Sequence, residues 1–468
     1  MAKHSRSTPS NKTTGPFPSR GTRAKRACVA AKLKPPPLAS WSLLATSSSS
    51  WAAKRARRAR RRRRFPSWAD LTYGPTGIIA EHALANDVSD YTSFRAVCRG
   101  WRRGTHDIHR PRGALDRRFY PRRWIMLREA KPPPGPDHHR RRFLNLDTGE
   151  CVHKDLPELD GHHLLGATTE GLLVLLDKST YVVLVLNPAT RQVAELPSLD
   201  PLLSTEARET ISEYGLAYTL KVTGVGLAGE STIALCFYYY STTMLVVARP
   251  GDARWTVVES NRWFYTAMSF QGRFYCVSCA DDGNGSGKGV MALDLDVATP
   301  NKPPRLVVAA KLTCRLSSLR LDTVHLVESD GSLLLLRSEL SFRKELGCHI
   351  RRYEVFAVDL AAKKTVPVRA LGRRAVFLGE TRALSVSPLV FPSIHPDRVY
   401  PAADLREKKH HGVGSYSLLN GSIERCKVRM GTATNGDDEF DGGWERPCGI
   451  VDYLSWYVSG KCNWIQEI

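Results

Sequence analysis

The sequence has no apolar run near the roughly 18 residues that a membrane-spanning helix needs. Its longest apolar runs are 172–176, 181–186 and 233–240. The opening segment also lacks the apolar stretch of roughly 7 to 15 residues that follows the basic start of a secretory signal. We therefore expect a soluble chain that is not exported.

Cysteines occur without the even count or the regular spacing of a disulfide framework. The chain has 11 of them, scattered along its length. An odd, scattered set is typical of a reducing compartment, in which most thiols are free and buried.

Acidic residues are missing from the start of the chain. The 468 residues include 68 Lys and Arg against 46 Asp and Glu, a formal net charge of +22. Residues 1–64 hold 18 of the basic residues and no acid, so the other 404 residues carry a net charge of only +4. The surplus lies in one leading segment, which excludes a globular domain that is basic over its whole surface.

Residues 1–67 are rich in Ser, Thr, Pro, Lys and Arg, and we expect them to form a disordered basic tail because they offer little apolar surface to bury. Nine basic residues form its densest cluster. They are Lys54, Arg55, Arg57, Arg58, Arg60, Arg61, Arg62, Arg63 and Arg64. We interpret this cluster as a nuclear localisation signal, with a cytoplasmic location as the alternative. Nonspecific attraction to nucleic acid or to an anionic membrane, a plastid or mitochondrial transit peptide, and no selected function stay open.

Residues 68–103 have the spacing of helices. Thr76 is a candidate N-cap of a first helix, and Asp87 is a candidate N-cap of a second, with Asp90 in its first turn. The apolar residues that share one face of the first helix are Ile78, Ile79, Ala83 and Leu84. We expect a module of two or three helices, too small to be very stable alone.

A basic connector, 104–142, leads to a region with the pattern of strands. From 143 to 468, short apolar runs recur every ten or so residues between Gly, Asp, Asn and Pro turns. No convincing helix-period stretch separates them. This pattern predicts one all-β domain.

The β region contains an internal echo between 143–159 and 184–199. The matched pairs are Asn145 with Asn187 and Thr148 with Thr190, both 42 residues apart, and Leu156 with Leu196, 40 residues apart. Repeats of about this length in a strand-rich chain predict the four-stranded blades of a β-propeller. Residues 254–296, with a turn at Gln271-Gly272, fit a further blade.

The helical module resembles an F-box, and the chain from about 68 to 430 resembles plant F-box proteins with a C-terminal F-box-associated β-propeller. The most specific motif is FRAVC-x-x-WR at 94–102. The propeller motifs are RRWIML at 122–127, FLN at 143–145, LNPATR at 186–191, FLG at 377–379 and PSI at 392–394. One departure is that Leu71 is followed by Thr72, where the family has a Leu-Pro dipeptide.

This resemblance implies a substrate-receptor subunit of a Skp-cullin-F-box ubiquitin ligase. The F-box would bind the Skp-family adaptor, and the propeller would bind an unknown target protein. The candidate adaptor-binding residues are Leu71, Ile78, Ile79, Leu84, Val97 and Trp101. The ligase chemistry would reside in partner subunits, so we expect no catalytic residue, metal or cofactor, and no membrane partner.

The motif search agrees with a non-enzymatic role. Cys276 and Cys279 form a lone CxxC without a second pair at zinc spacing, and the glycines near 272–289 match turns rather than a phosphate-binding loop. Two other functions stay open. The chain is either a propeller scaffold whose altered F-box no longer binds the ligase or, as a weaker hypothesis, a nucleic-acid-binding protein acting through its tail.

Overall fold

The structure is a computed structural model. It describes residues 68, 71–108, 114–127, 139–239, 242–260, 262–279, 288–295, 303–314, 323–343, 348–402, 404–405, 413–425 and 449–459. The chain divides into two units, Met1–Phe65 and Pro66–Ile468, and the described residues all belong to the second. The expected tail, 1–67, and its basic cluster lie outside the described residues. Within the described part, no helix has the length and the apolar character to cross a membrane.

Three helices form the N-terminal module. They are α1 (Tyr73–Asn86), α2 (Val88–Ala96) and α3 (Arg99–Arg103). Asp87 caps α2 as predicted, because its Oδ1 accepts a hydrogen bond from the Ser89 backbone N–H at 2.6 Å. Thr76 was wrongly predicted to cap α1. The helix begins three residues earlier at Tyr73, because Pro75 lacks an N–H only where the first turn has no acceptor for one, and Thr76 is buried inside the helix.

The strands of the described residues form six sheets. These sheets are the blades of a six-bladed β-propeller, which confirms the predicted fold class. The first three blades contain β1 (Trp124–Met126), β2 (Arg140–Asn145) and β3 (Cys151–Asp155); β4 (His162–Ala167), β5 (Leu173–Asp177), β6 (Val182–Asn187) and β7 (Gln192–Ser198); β8 (Lys221–Ala228), β9 (Thr232–Tyr239), β10 (Thr242–Ala248) and β11 (Thr256–Ser260). The last three contain β12 (Phe264–Phe270), β13 (Arg273–Cys279), β14 (Lys288–Asp294) and β15 (Arg305–Ala310); β16 (Thr323–Ser329), β17 (Ser332–Arg343), β18 (Cys348–Asp359) and β19 (Lys364–Val368); β20 (Ala375–Leu378), β21 (Ala383–Val386), β22 (Arg398–Pro401), β23 (Val413–Ser417) and β24 (Ile423–Arg425).

Two boundaries differ from the sequence pattern. The strand β1 lies within the segment 104–142 that was interpreted as a connector, so the first blade begins at Trp124. Within 254–296, the strand β11 pairs with β10 and so belongs to the third blade, while β12 opens the fourth. The turn at Gln271-Gly272 joins β12 to β13 as expected.

The internal echo corresponds to one repeated turn. Asn145 Oδ1 accepts hydrogen bonds from the backbone N–H groups of Asp147 and Thr148, at 2.9 and 3.2 Å. Asn187 does the same for the N–H groups two and three residues further on, at 2.9 and 3.3 Å. Asp359 repeats the arrangement in the fifth blade, at 3.0 and 2.8 Å. A short polar side chain that bonds its own backbone is what starts such a turn.

The C-terminal part of the chain adds a helix, α6 (Ile450–Val458), that lies between the first and sixth blades. Leu454 and Val458 are fully buried there, against Ile125 of the first blade and Phe377 of the sixth. In the described residues the first blade has three strands, and Tyr457 of α6 reaches the central cavity beside it. The ring is thus completed by a helix at this point.

An insertion between the second and third blades contradicts the expectation of no helix among the strands. It contains α4 (Thr205–Tyr214) and α5 (Leu216–Thr219). Ser204 caps α4 by accepting a hydrogen bond from the Ala207 N–H at 3.2 Å, and Gly215 follows its last residue with a φ of 82°. A Ser before the helix and a Gly after it are standard helix boundaries that the strand pattern on both sides obscured.

Neighbouring strands of a blade run in opposite directions, so successive turns lie on two opposite faces of the propeller. On one face lie the turns that join β4 to β5, β6 to β7, β8 to β9 and β12 to β13. The helical module meets this face, because Asn187 Nδ2 donates to the Phe119 carbonyl at 3.1 Å and Asn145 Nδ2 to Asp87 Oδ2 at 3.3 Å. We call it the module face. The far face carries the opposite turns and the α4–α5 insertion.

Candidate functional site: the helical module and the propeller channel

The helical module has a small apolar core that it shares with the propeller's first segment. The buried members of this core are Ala80, Val88, Tyr91, Phe94, Ile108 and Phe119. Trp101 of α3 stacks on Phe94 with ring centroids 4.3 Å apart, and Leu84 packs against the same cluster. The Phe119 side chain comes from the segment that precedes the first blade, so the module is complete on this side only when the propeller is attached.

Asp87 joins the module to the first blade. Besides capping α2, its carboxylate accepts hydrogen bonds from Trp124 Nε1 at 2.7 Å and from Asn145 Nδ2 at 3.3 Å. Its charge also acts on a neighbouring base: burial lowers the pKa of Lys154, and the Asp87 carboxylate opposes that shift. One side chain therefore fixes a helix terminus and its position on the propeller.

Arg95, inside the FRAVC motif, holds the end of the module. The side chain is buried, and its Nη1 donates to the carbonyls of Arg102 and Thr105 at 3.2 and 3.1 Å and to that of His106. Its Nη2 pairs with Asp107 at 3.3 Å. A guanidinium suits this position because it offers five donors in one plane.

The helical module also exposes large apolar side chains. Of the twelve such side chains among the residues that the structure describes, five lie between 68 and 103. They are Trp68, Tyr73, Ile78, Ile79 and Val97, exposed by 74%, 67%, 59%, 38% and 60%. This density is what distinguishes an interaction surface from the scattered apolar residues of an ordinary surface.

The six candidate residues from the sequence divide into two groups. Ile78, Ile79 and Val97 are exposed, as a binding surface requires. Leu71, Leu84 and Trp101 are half-buried, and Leu84 and Trp101 come together on the module's own core. The sequence analysis missed Trp68 and Tyr73. Their signal is that two aromatic residues, one before the first helix and one at its first position, stand among polar residues.

A central cavity of about 870 Å³ runs through the propeller and is lined by all six blades. Near the module face its lining includes Glu170 and Glu328 with Arg122 and Arg374, and the whole lining holds five carboxylates and five guanidiniums. Burial and the nearby Glu170 raise the pKa of Glu328, while both arginines oppose the rise. The charges balance, so the cavity can hold a polar group but selects no sign of charge.

Several hydroxyl groups tie this end of the cavity together. Glu170, which is 8% exposed, accepts a hydrogen bond from Ser269 Oγ at 3.1 Å. Arg374 Nε donates to Ser385 Oγ at 2.9 Å. Burial and the Glu170 charge raise the pKa of Tyr120 to about 12. Among the described residues there is no group of three or more His, Cys, Asp or Glu side chains that could hold a metal ion.

Six blades around a central cavity, preceded in the chain by a short helical module, define the protein as a β-propeller protein. Comparisons with known proteins give its family. The KIB1-4 beta-propeller family matches residues 143–417, and the chain belongs to this family. The match confirms the propeller part of the resemblance, since this is a family of F-box-associated propellers. The helical module lies outside the matched residues, so its assignment as an F-box stays a prediction.

Other comparisons give only distant likenesses. No curated protein sequence matches the chain. One similar solved structure is a dihydro-heme d1 dehydrogenase NirN in complex with DHE, at 14% identity and a TM-score of 0.24, covering 50% of this chain and 44% of that one. Another is an oligogalacturonate lyase in complex with manganese, at 8% identity and a TM-score of 0.32, covering 68% of this chain and 76% of that one.

Proposed function

We propose that this protein is a substrate receptor of a Skp-cullin-F-box ubiquitin ligase, in which the helical module binds the Skp-family adaptor and the propeller binds the protein to be ubiquitinated. It is not itself an enzyme, because transfer of ubiquitin takes place on partner subunits. The observation that carries the proposal is the exposed apolar side of a module whose other side is anchored to a propeller of an F-box-associated family.

The energetics of that surface support binding. Ile78, Ile79 and Val97 are costly to expose, and burying each fully is worth roughly 1.5 to 3 kcal/mol as an upper value. A partner that covers these side chains gains free energy that counts against the cost of association. Tyr and Trp are also the residue types that most often dominate binding energy at interfaces.

The junction supports the second half of the proposal. A receptor must hold its target at a defined place relative to the adaptor, since the ligase acts on whatever the receptor presents. Asp87 and Phe119 both link the module to the propeller through buried contacts. The two parts of the second unit are therefore joined by more than a chain connection.

The test is co-purification of the full chain with the Skp-family adaptor. We expect a complex at micromolar concentration, and we expect Ile78→Glu and Val97→Glu each to weaken it by about a hundredfold, since a buried charge costs at least about 2.7 kcal/mol. Leu389→Glu is the matched control, because Leu389 is 93% exposed on the propeller. Equal loss with Leu389→Glu, or no loss with the two module variants, would contradict the proposal.

The second candidate is a propeller scaffold that no longer binds the ligase. Thr72 favours the scaffold, because the F-box proteins that the helical module resembles have proline at this position. In the described residues, the Thr72 side chain makes no capping hydrogen bond to α1. Its φ of −69° is also the angle that proline requires, so Thr72→Pro restores the Leu-Pro dipeptide without strain. A wild-type chain that fails to bind the adaptor, together with a Thr72→Pro variant that binds it, would establish the scaffold.

We further propose that the protein acts in the nucleus, through the basic cluster 54–64. A nucleic-acid-binding role would instead show as DNA binding with sequence preference. Deleting residues 1–67 and following both the location of a fluorescent fusion and DNA binding separates these roles. Loss of nuclear accumulation in the deletion variant supports the localisation signal, and a deletion variant that stays in the nucleus contradicts it.

A further inference from the structure

The far face of the propeller exposes a pair of tyrosines on the α4–α5 insertion. Tyr214, the last residue of α4, is 56% exposed, and Tyr218 in α5 is 69% exposed. Their rings contact each other, with centroids 5.6 Å apart and planes inclined by 38°. Apart from the helical module, the described residues expose no other pair of aromatic side chains to this degree.

A second group of aromatic side chains also lies on the far face. Lys221 begins β8 just after α5, and its Nζ lies 6.0 Å from the centroid of the Tyr238 ring. Tyr238 in turn lies 5.2 Å from Trp263, which precedes β12. Both of these side chains are half-buried. We call Tyr214 and Tyr218 of the insertion, Tyr238 of the third blade and Trp263 before the fourth blade the aromatic strip.

The insertion is firmly held. Leu203, Ala207 and Ile211 are buried in the core between the second and third blades. The Tyr239 hydroxyl donates to the Leu202 carbonyl at 2.9 Å, which ties the insertion to β9. A surface that is ordered before binding loses little conformational entropy when a partner arrives.

The charge of α4, next to Tyr214, is negative, whereas Lys221 is the base that lies against Tyr238. Glu206, Glu209 and Glu213 are all exposed on α4. Arg208, the one base in the helix, is paired with Asp200 at 2.9 Å. Hydrogen bonds from the Glu206 backbone N–H and from Ser204 lower the pKa of Glu206, so this carboxylate is ionised at neutral pH. Nucleic acid and anionic membranes are repelled from such a surface.

We propose that the aromatic strip and the three α4 carboxylates bind a segment of a partner protein that is rich in Arg and Lys. A guanidinium or ammonium group gains by lying over a tyrosine or tryptophan ring. It gains again from a carboxylate within hydrogen-bond reach, and Arg does so with two parallel bonds. Glu209 and Glu213 lie one helical turn apart on α4, and Tyr214 and Tyr218 follow them in the chain, so an extended basic segment can make both kinds of contact.

This site lies on the face opposite the helical module, so one chain can hold the adaptor and this partner at the same time. The identification of the partner as a ubiquitination target rests on the proposed function, whereas the binding itself does not. A chain that binds basic segments but no adaptor would overturn the proposed function and leave this inference in place. A chain that binds the adaptor but no basic segment would overturn this inference and leave the proposed function in place.

The experiment measures fluorescence anisotropy of labelled peptides with the full chain at physiological salt. The probe is a short peptide in which Arg and Lys alternate with Gly and Ser, and its control replaces every base by Glu. Two double variants are compared with the wild type: Tyr214→Ala with Tyr218→Ala, and Glu209→Gln with Glu213→Gln. Leu419→Ala is the control, because Leu419 is 68% exposed, about as much as Tyr218, and lies between β23 and β24 of the sixth blade.

We expect saturable binding of the basic peptide, weakened at least about tenfold by either double variant and unchanged by Leu419→Ala. The Glu-to-Gln variant keeps the shape of α4, and unchanged thermal unfolding shows that the tyrosine variant is folded. Binding of the acidic control peptide, or equal binding of the basic peptide by all variants, would overturn the proposal. So would self-association of the chain that the double variants abolish, because the occupant would then be a second copy.

Discussion

The propeller and the helical module solve the problem of burying apolar surface in opposite ways. In the propeller, neighbouring innermost strands approach so closely that a Cβ added at Gly224 would lie 2.0 Å from the Ala267 carbonyl oxygen. In the module, Gly74 and Gly77 have no atom within 4 Å of such a Cβ. The propeller is packed against itself, and the module is open on one side. This difference locates the surface that is available to a partner on the helical module.

Size explains part of this contrast. Each blade buries both of its faces against two neighbours, and the ring leaves no end uncovered. A module of about 35 residues cannot bury all of its own apolar side chains, and it depends on Phe119 and Trp124 from the propeller's first segment. The side that the propeller does not cover is the side on which Ile78 and Val97 are exposed.

The largest expected effect breaks the contrast at two glycines. Gly224→Ala should destabilise the protein by about 3 kcal/mol or more, because the new methyl group meets backbone atoms of β12 that cannot move without separating two blades. Gly77→Ala should instead stabilise by up to about 1 kcal/mol, because Gly77 lies inside α1 with open space around it and alanine favours helix. Urea unfolding followed by tryptophan fluorescence measures both.

Opposite signs at the two positions are the essential result. If Gly224→Ala were tolerated, the third and fourth blades would be free to move apart, and the contrast with the module would disappear. If Gly77→Ala were as harmful as Gly224→Ala, the open side of α1 would be covered within the chain itself.

The next effect uses acid to probe the propeller interior. Burial and the nearby Arg351 lower the pKa of His325 to about 3, and burial lowers the pKa of His163 to about 4. Both values lie below the ordinary pKa of about 6.5 that histidine has in an unfolded chain. Between these pKa values and about pH 6.5, the unfolded state therefore binds protons that the folded state does not bind. Stability should fall as the pH drops below about 6.5, by about 1.4 kcal/mol per pH unit for each histidine.

Urea unfolding at about pH 7 and about pH 5 gives the measurement, and the loss should be about 2 kcal/mol for each histidine. The ring nitrogens of His325 have no hydrogen-bond partner among the described residues, so His325→Leu removes its share without leaving a broken bond. A variant with the wild-type pH dependence would show that His325 is reached by water in the folded state.

The propeller was predictable from the sequence because its turns are local. Asn145 and Asn187 each start a turn by bonding to their own backbone, so the sequence echo records a real repeat of structure. The helix α4 was missed, although Ser204 and Gly215 mark both of its ends, because strand-like runs dominate on either side. The helix α6 completes the ring through contacts with distant blades, and no local pattern indicates such a contact.

The module surface was predictable only in part, for a related reason. Spacing along α1 places Ile78 and Leu84 on the apolar side of the sequence pattern, but packing decides which of them meets the core. Leu84 packs against the cluster around Phe94, and Ile78 is left exposed. The Glu170 and Glu328 carboxylates come from different blades, and their meeting in the channel depends on the closure of the whole ring.

The smallest expected effect concerns the junction at Asp87. Asp87→Ala removes the α2 cap and the acceptor of Trp124 Nε1 and Asn145 Nδ2, a loss of about 1 to 2 kcal/mol. Because these contacts belong to the module and not to the blades, we expect local opening of the module rather than unfolding of the propeller. Hydrogen exchange of peptides within 73–103 should accelerate by about tenfold or more, while blade peptides keep their rates.

Asp90→Ala is the control for that experiment. Asp90 lies in the first turn of the same helix and is exposed, so its removal costs a little helix stability but no contact with the propeller. If Asp90→Ala accelerated exchange as much as Asp87→Ala, the effect would come from the helix alone. If both regions accelerated together with Asp87→Ala, module and propeller would unfold as one unit. Selective acceleration is expected because Asp87 is the point at which an open module is held against a closed ring.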